Sequence, residues 1–275
     1  MKNYKIVFVD IDDTLNPSNG EVSQYTKEVM KKIKDKGIKI IINTGRSSKY
    51  AVEKSIEAGL SNIVVSSNGT EIYDYENNVV IFNNKIPENK VREIYDYCSK
   101  FDLTLILNTI GKRFINKKDY NYNSEPVEYF DNLDEVLKSN EVNQLIILSS
   151  NFDRMLVMPN LFKEKYPDLK FVHSSIALTE GTRIKNKEYY HDLVFGNISK
   201  GTGIVELLDY YGIDSSEAIA IGNGYDDITM MDVVETGIAV DNANDQLKQV
   251  ADIVCESSAN DGVAKILNKL ILEEN

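Results

Sequence analysis

The apolar positions change period several times along the chain, and each change marks an element. Residues 4–9, Tyr-Lys-Ile-Val-Phe-Val, form an almost unbroken β-branched and aromatic run. Such a run predicts a strand covered on both faces, as in the parallel sheets of α/β proteins. Residues 23–36 place Val29, Met30 and Ile33 on one helical face and stop at Gly37, a favoured helix terminus. A second buried strand is expected at 38–43, then a helix with Ala51, Val52 and Ile56 inward that stops at Gly59, then a strand at 62–66. This βαβαβ alternation implies right-handed crossovers and a parallel sheet.

From Ser67 the texture changes. Asn68-Gly69 is a turn signal, and 73–82 with Asn77-Asn78 at its middle predicts a hairpin. Between about 87 and 190 the pattern gives a helix at 88–100, a strand at 103–107, a loop at 117–124, a strand at 143–148, a helix at 151–165 and a strand at 170–173. The first texture returns after Asn197, with a helix at 200–211 between an Ser199 N-cap and Gly212, strands at 218–221 and 237–240, and an amphipathic helix at 263–272. The fold class expected is α/β. Residues 1–83 and 192–275 would form a Rossmann-like parallel-sheet core domain with helices on both faces, and 84–191 an inserted α+β domain.

A length of 275 residues and 42% hydrophobic content suit two domains with real cores. The net charge of −12 argues against a nucleic-acid backbone or an anionic membrane as partner. It leaves room for a small anionic substrate held by local cations. Cys98 and Cys255 are far apart and in no metal-binding spacing. No apolar run approaches a bilayer span, and the first residues fit neither a signal nor a transit peptide, so a cytoplasmic protein is expected.

The chemistry concentrates at strand ends. Asp10, Asp12 and Asp13 sit at the carboxyl end of the first strand, where open α/β sheets bind ligands. So many carboxylates are costly unless a cation or a proton offsets them. The plain alternative is an Asp-rich turn, whose side chains bond nearby backbone amides. Three more polar clusters follow at such edges: Thr44-Gly45-Arg46, Lys200, and 223–227. Each has its own plain reading: Thr44 as a turn residue, Lys200 as a solvated helix-start lysine, Asp226 and Asp227 as caps of the helix carrying Ile228, Met230 and Met231. Those readings do not explain four clusters in this order.

Together the clusters meet the needs of phosphoryl transfer through an aspartyl phosphate. A carboxylate attacking a phosphate needs a bridging divalent cation and fixed donors on the nonreacting oxygens. Asp10 is the candidate nucleophile and Asp12 the acid and base. Thr44, the segment through Gly45 and Arg46, and Lys200 would bind the phosphate, aided by the helix N-terminus after Ser199.

With these motifs the chain resembles the haloacid dehalogenase superfamily, specifically the Cof-type (subclass IIB) phosphatases, which carry a cap domain between the second and third motifs. Asp10-Ile11-Asp12-Asp13-Thr14-Leu15 matches the first motif, with Asp13 where Gly is frequent; Thr44-Gly45-Arg46 matches the second and Ser199-Lys200-Gly201 the third. Asn242-Ala243, Ala251-Asp252 and Asp261-Gly262-Val263-Ala264 resemble further family positions. The resemblance implies a magnesium-dependent phosphatase whose insert is a lid contributing substrate contacts.

The fourth motif departs from the family. The usual Gly-Asp, two residues, Asn-Asp is here Gly222-Asn223, Gly224-Tyr225, Asp226-Asp227, so Asp and Asn have exchanged places. The Mg²⁺ ligands expected are Asp10, the Asp12 backbone carbonyl and the neutral amide oxygen of Asn223, with Asp227 behind them. The activity expected is hydrolysis of a small phosphate monoester, such as a sugar phosphate or another phosphorylated metabolite. A phosphomutase or phosphotransferase shares the covalent step and stays open, as does an idle binding protein on the same fold. In the insert, His173, Arg183, Lys185, Lys187 and His191 are polar residues that could face the site.

Overall fold

The computed structural model describes residues 3–17, 20–118, 125–174 (backbone only at 173 and 174) and 188–273. Its contacts divide the chain into two units, Met1–Phe82 with Ser199–Asn275, and Asn83–Ile198.

In chain order the first unit begins with β1 (Ile6–Val9), α1 (Gln24–Asp35), β2 (Lys39–Asn43), α2 (Ser48–Ala58), β3 (Ile63–Ser66), β4 (Glu71–Asp74) and β5 (Val79–Asn83, whose last residue falls in the second unit). The second unit holds α3 (Glu88–Lys100), β6 (Thr104–Thr109), β7 (Lys112–Ile115), β8 (Glu128–Tyr129), α4 (Leu133–Ser139), β9 (Val142–Ser149), α5 (Phe152–Lys165), β10 (Leu169–Ser174) and β11 (Tyr189–Phe195). The first unit resumes with α6 (Lys200–Tyr211), β12 (Ala218–Gly222), α7 (Ile228–Met231), β13 (Thr236–Val240), α8 (Asp245–Val250), β14 (Ile253–Cys255) and α9 (Gly262–Leu267).

The first unit's sheet has the order β14-β13-β12-β1-β2-β3-β4-β5. Strands β14 through β3 run parallel, and β4 turns back antiparallel against β3. β1 lies between its partners with Val9 opposite both Ile221 and Ile42. The carboxyl ends of β12, β1 and β2 therefore reach one edge together. All four residues of β1 are buried, as expected for an apolar run without alternation. The helices present apolar stripes to the same core: Val29, Met30 and Ile33 from α1, and Ile204, Leu207 and Leu208 from α6. Local chemistry sets the helix ends. The Ser23 and Ser199 hydroxyls accept from the Thr26 and Thr202 amides, and Gly212 stops α6 in the left-handed region at φ 62°.

The second unit is built on a sheet of order β10-β11-β9-β6-β7-β8, antiparallel except for the β7–β8 pair. Leu105, Leu107, Leu145, Ile147 and Leu193 from its strands share a core with Val91, Ile94 and Cys98 of α3 and Met155, Met158 and Phe162 of α5. The expected helices and strands of this segment are present, and four elements were not anticipated. β7 follows β6 across a tight turn at Gly111, α4 is only seven residues long, β8 only two, and β11 is interrupted in hydropathy by His191 and Asp192. Among the described residues no helix is long and apolar enough to cross a membrane.

Candidate active site

The loop after β1 begins while strand pairing continues, since the Asp10 amide donates to Ile221 O at 3.0 Å. The chain then folds back on itself, with the Leu15 amide bonded to Asp10 O and the Thr14 amide to Ile11 O, both at 3.2 Å. Asp13 carries the reversal at φ 59°, a left-handed conformation that Asp tolerates better than most side chains and that glycine adopts freely. An aspartate is thus accommodated at a position where the motif often has glycine. Its backbone carbonyl accepts from Asn242 Nδ2 at 2.7 Å, and Asn242 Oδ1 in turn accepts the Ser258 amide at 2.8 Å. Thr14 Oγ1 donates to Asn223 Oδ1 at 3.0 Å and so ties the first loop to the one after β12.

Lys200 is the centre of the charge cluster. Its ammonium meets Asp10 Oδ1 at 2.8 Å, Asp226 Oδ2 at 2.9 Å and Asp227 Oδ1 at 2.6 Å, with its side chain 3% exposed. The solvated-lysine reading is therefore overturned. So is helix capping by Asp227, which makes no side-chain cap bond to α7. Instead Asp227 Oδ2 accepts the Asn223 and Gly224 amides, both at 2.8 Å, and shapes the loop from behind.

Glycines make this packing possible. A Cβ at Gly222 would come within 2.4 Å of the Asp227 carboxyl carbon, and one at Gly224 within 2.5 Å of Asp226 Oδ1. Burial pushes the Asp10 and Asp227 carboxyls above their ordinary range, against the opposing pull of Lys200. Burial alone would lower the Lys200 ammonium, but Asp10, Asp226 and Asp227 outweigh it and hold that ammonium well above its usual value. One cation faces three carboxyl groups, an imbalance that a further cation or a proton would offset.

The second motif lies at the end of β2. Thr44 is fully buried, its amide donates to Val65 O at 3.0 Å, and its hydroxyl accepts the Arg46 amide at 3.2 Å. The turn role of Thr44 thus exists alongside its place at the edge. The Arg46 side chain binds Asp12: its Nε donates to Asp12 Oδ2 at 2.7 Å, in a partly exposed pair. The candidate acid and base is therefore held by Arg46, while the candidate nucleophile is held by Lys200.

Three further residues support the site in ways the sequence pattern does not assign to them. Asn43 Nδ2 donates to Lys200 O at 2.9 Å and fixes the first turn of α6 from β2. Asn68, at φ 59°, donates its amide to Thr44 O at 3.1 Å. Gly69, at φ 87°, lets β3's exit meet α6 so closely that a Cβ would fall 2.0 Å from Ser199 O. The only sequence signal was Asn68-Gly69, and it marks this junction.

The donors suit a hard divalent cation. Asp10 and Asn223 present carboxylate and amide oxygens on loops joined by the Thr14 bond, the oxygen chemistry that Mg²⁺ takes while keeping several waters. Among the described residues no group of three or more His, Cys, Asp or Glu is arranged to hold a metal; the Asn223 amide and the Asp12 carbonyl are the neutral oxygens expected from the sequence to complete such a set. Of the insert residues considered for the site, Arg183, Lys185, Lys187 and the His173 side chain lie outside the described residues. His191 is not a surface residue: it is buried within the second unit, its Nε2 donates to Met155 O of α5 at 2.8 Å, and its ring packs edge-on against Phe171 at 4.9 Å.

The family model described as haloacid dehalogenase-like hydrolase matches residues 7–267. The fold is similar to that of a haloacid dehalogenase-like hydrolase from Bacteroides thetaiotaomicron, with a TM-score of 0.83 at 22% identity, covering 98% of this chain and 100% of the other. A HAD subclass IIB sugar phosphatase superposes with a TM-score of 0.77 at 21% identity, covering 97% and 98%. In sequence, the 5-amino-6-(5-phospho-D-ribitylamino)uracil phosphatase of Bacillus subtilis is 22% identical over 272 residues, 98% of this chain and 96% of its own length.

Proposed function

The chain belongs to the haloacid dehalogenase-like hydrolases and is a phosphatase, and from that premise we propose that it hydrolyses a small phosphate monoester of a metabolite, such as a sugar phosphate, with Mg²⁺ and through an aspartyl phosphate on Asp10. The observation that carries this reading is the buried Lys200 ammonium held among Asp10, Asp226 and Asp227, which sets one oxygen of Asp10 in place beside a fixed positive charge.

In the first step an Asp10 carboxylate oxygen attacks phosphorus and the bond from phosphorus to the ester oxygen breaks. Asp12 gives its proton to the departing alkoxide, so the alcohol leaves neutral. In the second step Asp12 takes a proton from water, whose oxygen attacks the same phosphorus. The acyl phosphate bond breaks, and Asp10 returns as carboxylate with release of inorganic phosphate. Thr44, Gly45, Arg46 and Lys200 bind the phosphate oxygens that do not react. Mg²⁺, held by Asp10, the Asp12 carbonyl and Asn223 with Asp227 behind them, would screen the repulsion between carboxylate and phosphate. All of these groups belong to the first unit.

The test is a panel of phosphorylated metabolites incubated with the protein and Mg²⁺. Release of inorganic phosphate supports hydrolysis, whereas an isomeric phosphate ester without release would replace it with a mutase.

A further inference from the structure

We propose that Asp226 supplies the negative charge that the cation site lacks at Asn223, so that the two residues act as an exchanged pair. The inference rests on the Mg²⁺-dependent reading above and concerns how this chain meets its demand for charge. Position 223 offers only a neutral amide oxygen, and that oxygen also accepts the Thr14 hydroxyl at 3.0 Å. A lone amide attracts a divalent cation far less than a carboxylate does, because only the carboxylate adds a full charge.

Asp226 stands three residues on, with its Oδ2 on the Lys200 ammonium that also touches Asp10 Oδ1. The cation's expected carboxylate ligand and Asp226 are thus bound to one nitrogen. Lys200 alone cannot neutralise Asp10, Asp226 and Asp227. That imbalance falls in a cluster that includes the buried Asp10 and that touches the Asn223 loop through Asp227 Oδ2, which accepts the Asn223 amide. The loop also packs closely around Asp226: a Cβ at Gly224 would lie 2.5 Å from Asp226 Oδ1, so a side chain at 224 would push the carboxylate from its present position.

The plain alternative is that Asp226 only balances Lys200, and reciprocal substitution separates the two. Mg²⁺ alone is titrated calorimetrically into the full chain without substrate, for wild type, Asp226→Asn, Asp226→Ser and the double variant Asn223→Asp/Asp226→Asn. Circular dichroism and thermal melts confirm that each variant is folded. The expected result is an affinity loss of about tenfold or more in both single variants and recovery to near the wild-type value in the double. A role confined to balancing Lys200 would lower the melting temperature of the single variants and leave their Mg²⁺ affinity unchanged. Unchanged affinity in the single variants, or a double variant as weak as Asp226→Asn, overturns the inference. Asp10→Asn is the control: if it binds Mg²⁺ as wild type does, the cation lies elsewhere and the functional reading falls with the inference.

Discussion

Asp10 and Asp12 are two residues apart, yet their side chains have different keepers: Lys200 for the first and Arg46 for the second. That division predicts different kinetic signatures. Asp10→Asn is expected to abolish turnover of every phosphate ester. Asp12→Asn should slow an alkyl phosphate by about 10²–10⁴-fold and an aryl phosphate with a good leaving group much less in its first step, because such an oxygen departs without a proton. Steady-state and burst kinetics on the two substrates check this.

Lys200→Met strands three carboxylates that shared one ammonium, and breaking a buried charge pair typically costs about 3–5 kcal/mol. The loss should be larger at pH 8 than at pH 5. Burial already raises the Asp10 and Asp227 carboxyls against the pull of Lys200; without the ammonium they rise further, so the variant's stability, full below the unfolded carboxylate value, falls more than that of wild type as pH rises through the folded one. Urea unfolding at both pH values measures the difference.

At the scale of elements, the site depends on how closely β3's exit meets α6. Gly69→Ala adds a Cβ where Ser199 O stands 2.0 Å away, at a φ of 87°, and is expected to cost about 1–3 kcal/mol and to lower activity by displacing the turn that carries Lys200. Thermal denaturation together with kcat reads both effects.

β11 carries a different dependence. Burial lowers the His191 imidazole below its ordinary value, so stability from the neutral ring is full above about pH 6.5 and is lost as pH falls below that, toward and through the folded value. His191→Gln, which can still donate to Met155 O, should flatten that part of the stability profile relative to wild type.

The same two junctions show what was readable in the sequence. Long apolar runs such as residues 6–9 and stripes such as Val29, Met30 and Ile33 announce their elements because burial on a sheet or against one face dictates their period. β11 hid because His191 looks polar in sequence, while its partner, Met155 O, lies 36 residues away. Thr44 and Lys200 were legible by motif. Gly69 was legible as part of a turn, but its close approach to α6 and the bond from Asn43 to α6 were not, since both span more than a hundred residues.

At the scale of the whole molecule, each unit has its own apolar core, one gathered on the β1-centred sheet and one under α3 and α5. A fragment spanning residues 83–198 is therefore expected to fold alone, with a cooperative urea transition and dispersed NMR amide signals; a chain without either would show that its core is not self-sufficient. The net charge of −12 does not forbid an anionic substrate, because on the proposed reading the phosphate would be received locally by Lys200, Thr44 and the amides that follow it. The central claim is that Asp10 carries the phosphoryl group, and the direct measurement is rapid-quench trapping during turnover, with labelled borohydride reducing the acyl phosphate and peptide mapping locating the label. The account predicts label on Asp10 that rises and decays at the rate of turnover and is missing in Asp10→Asn; Mg²⁺-dependent phosphate release without label at Asp10 would contradict it.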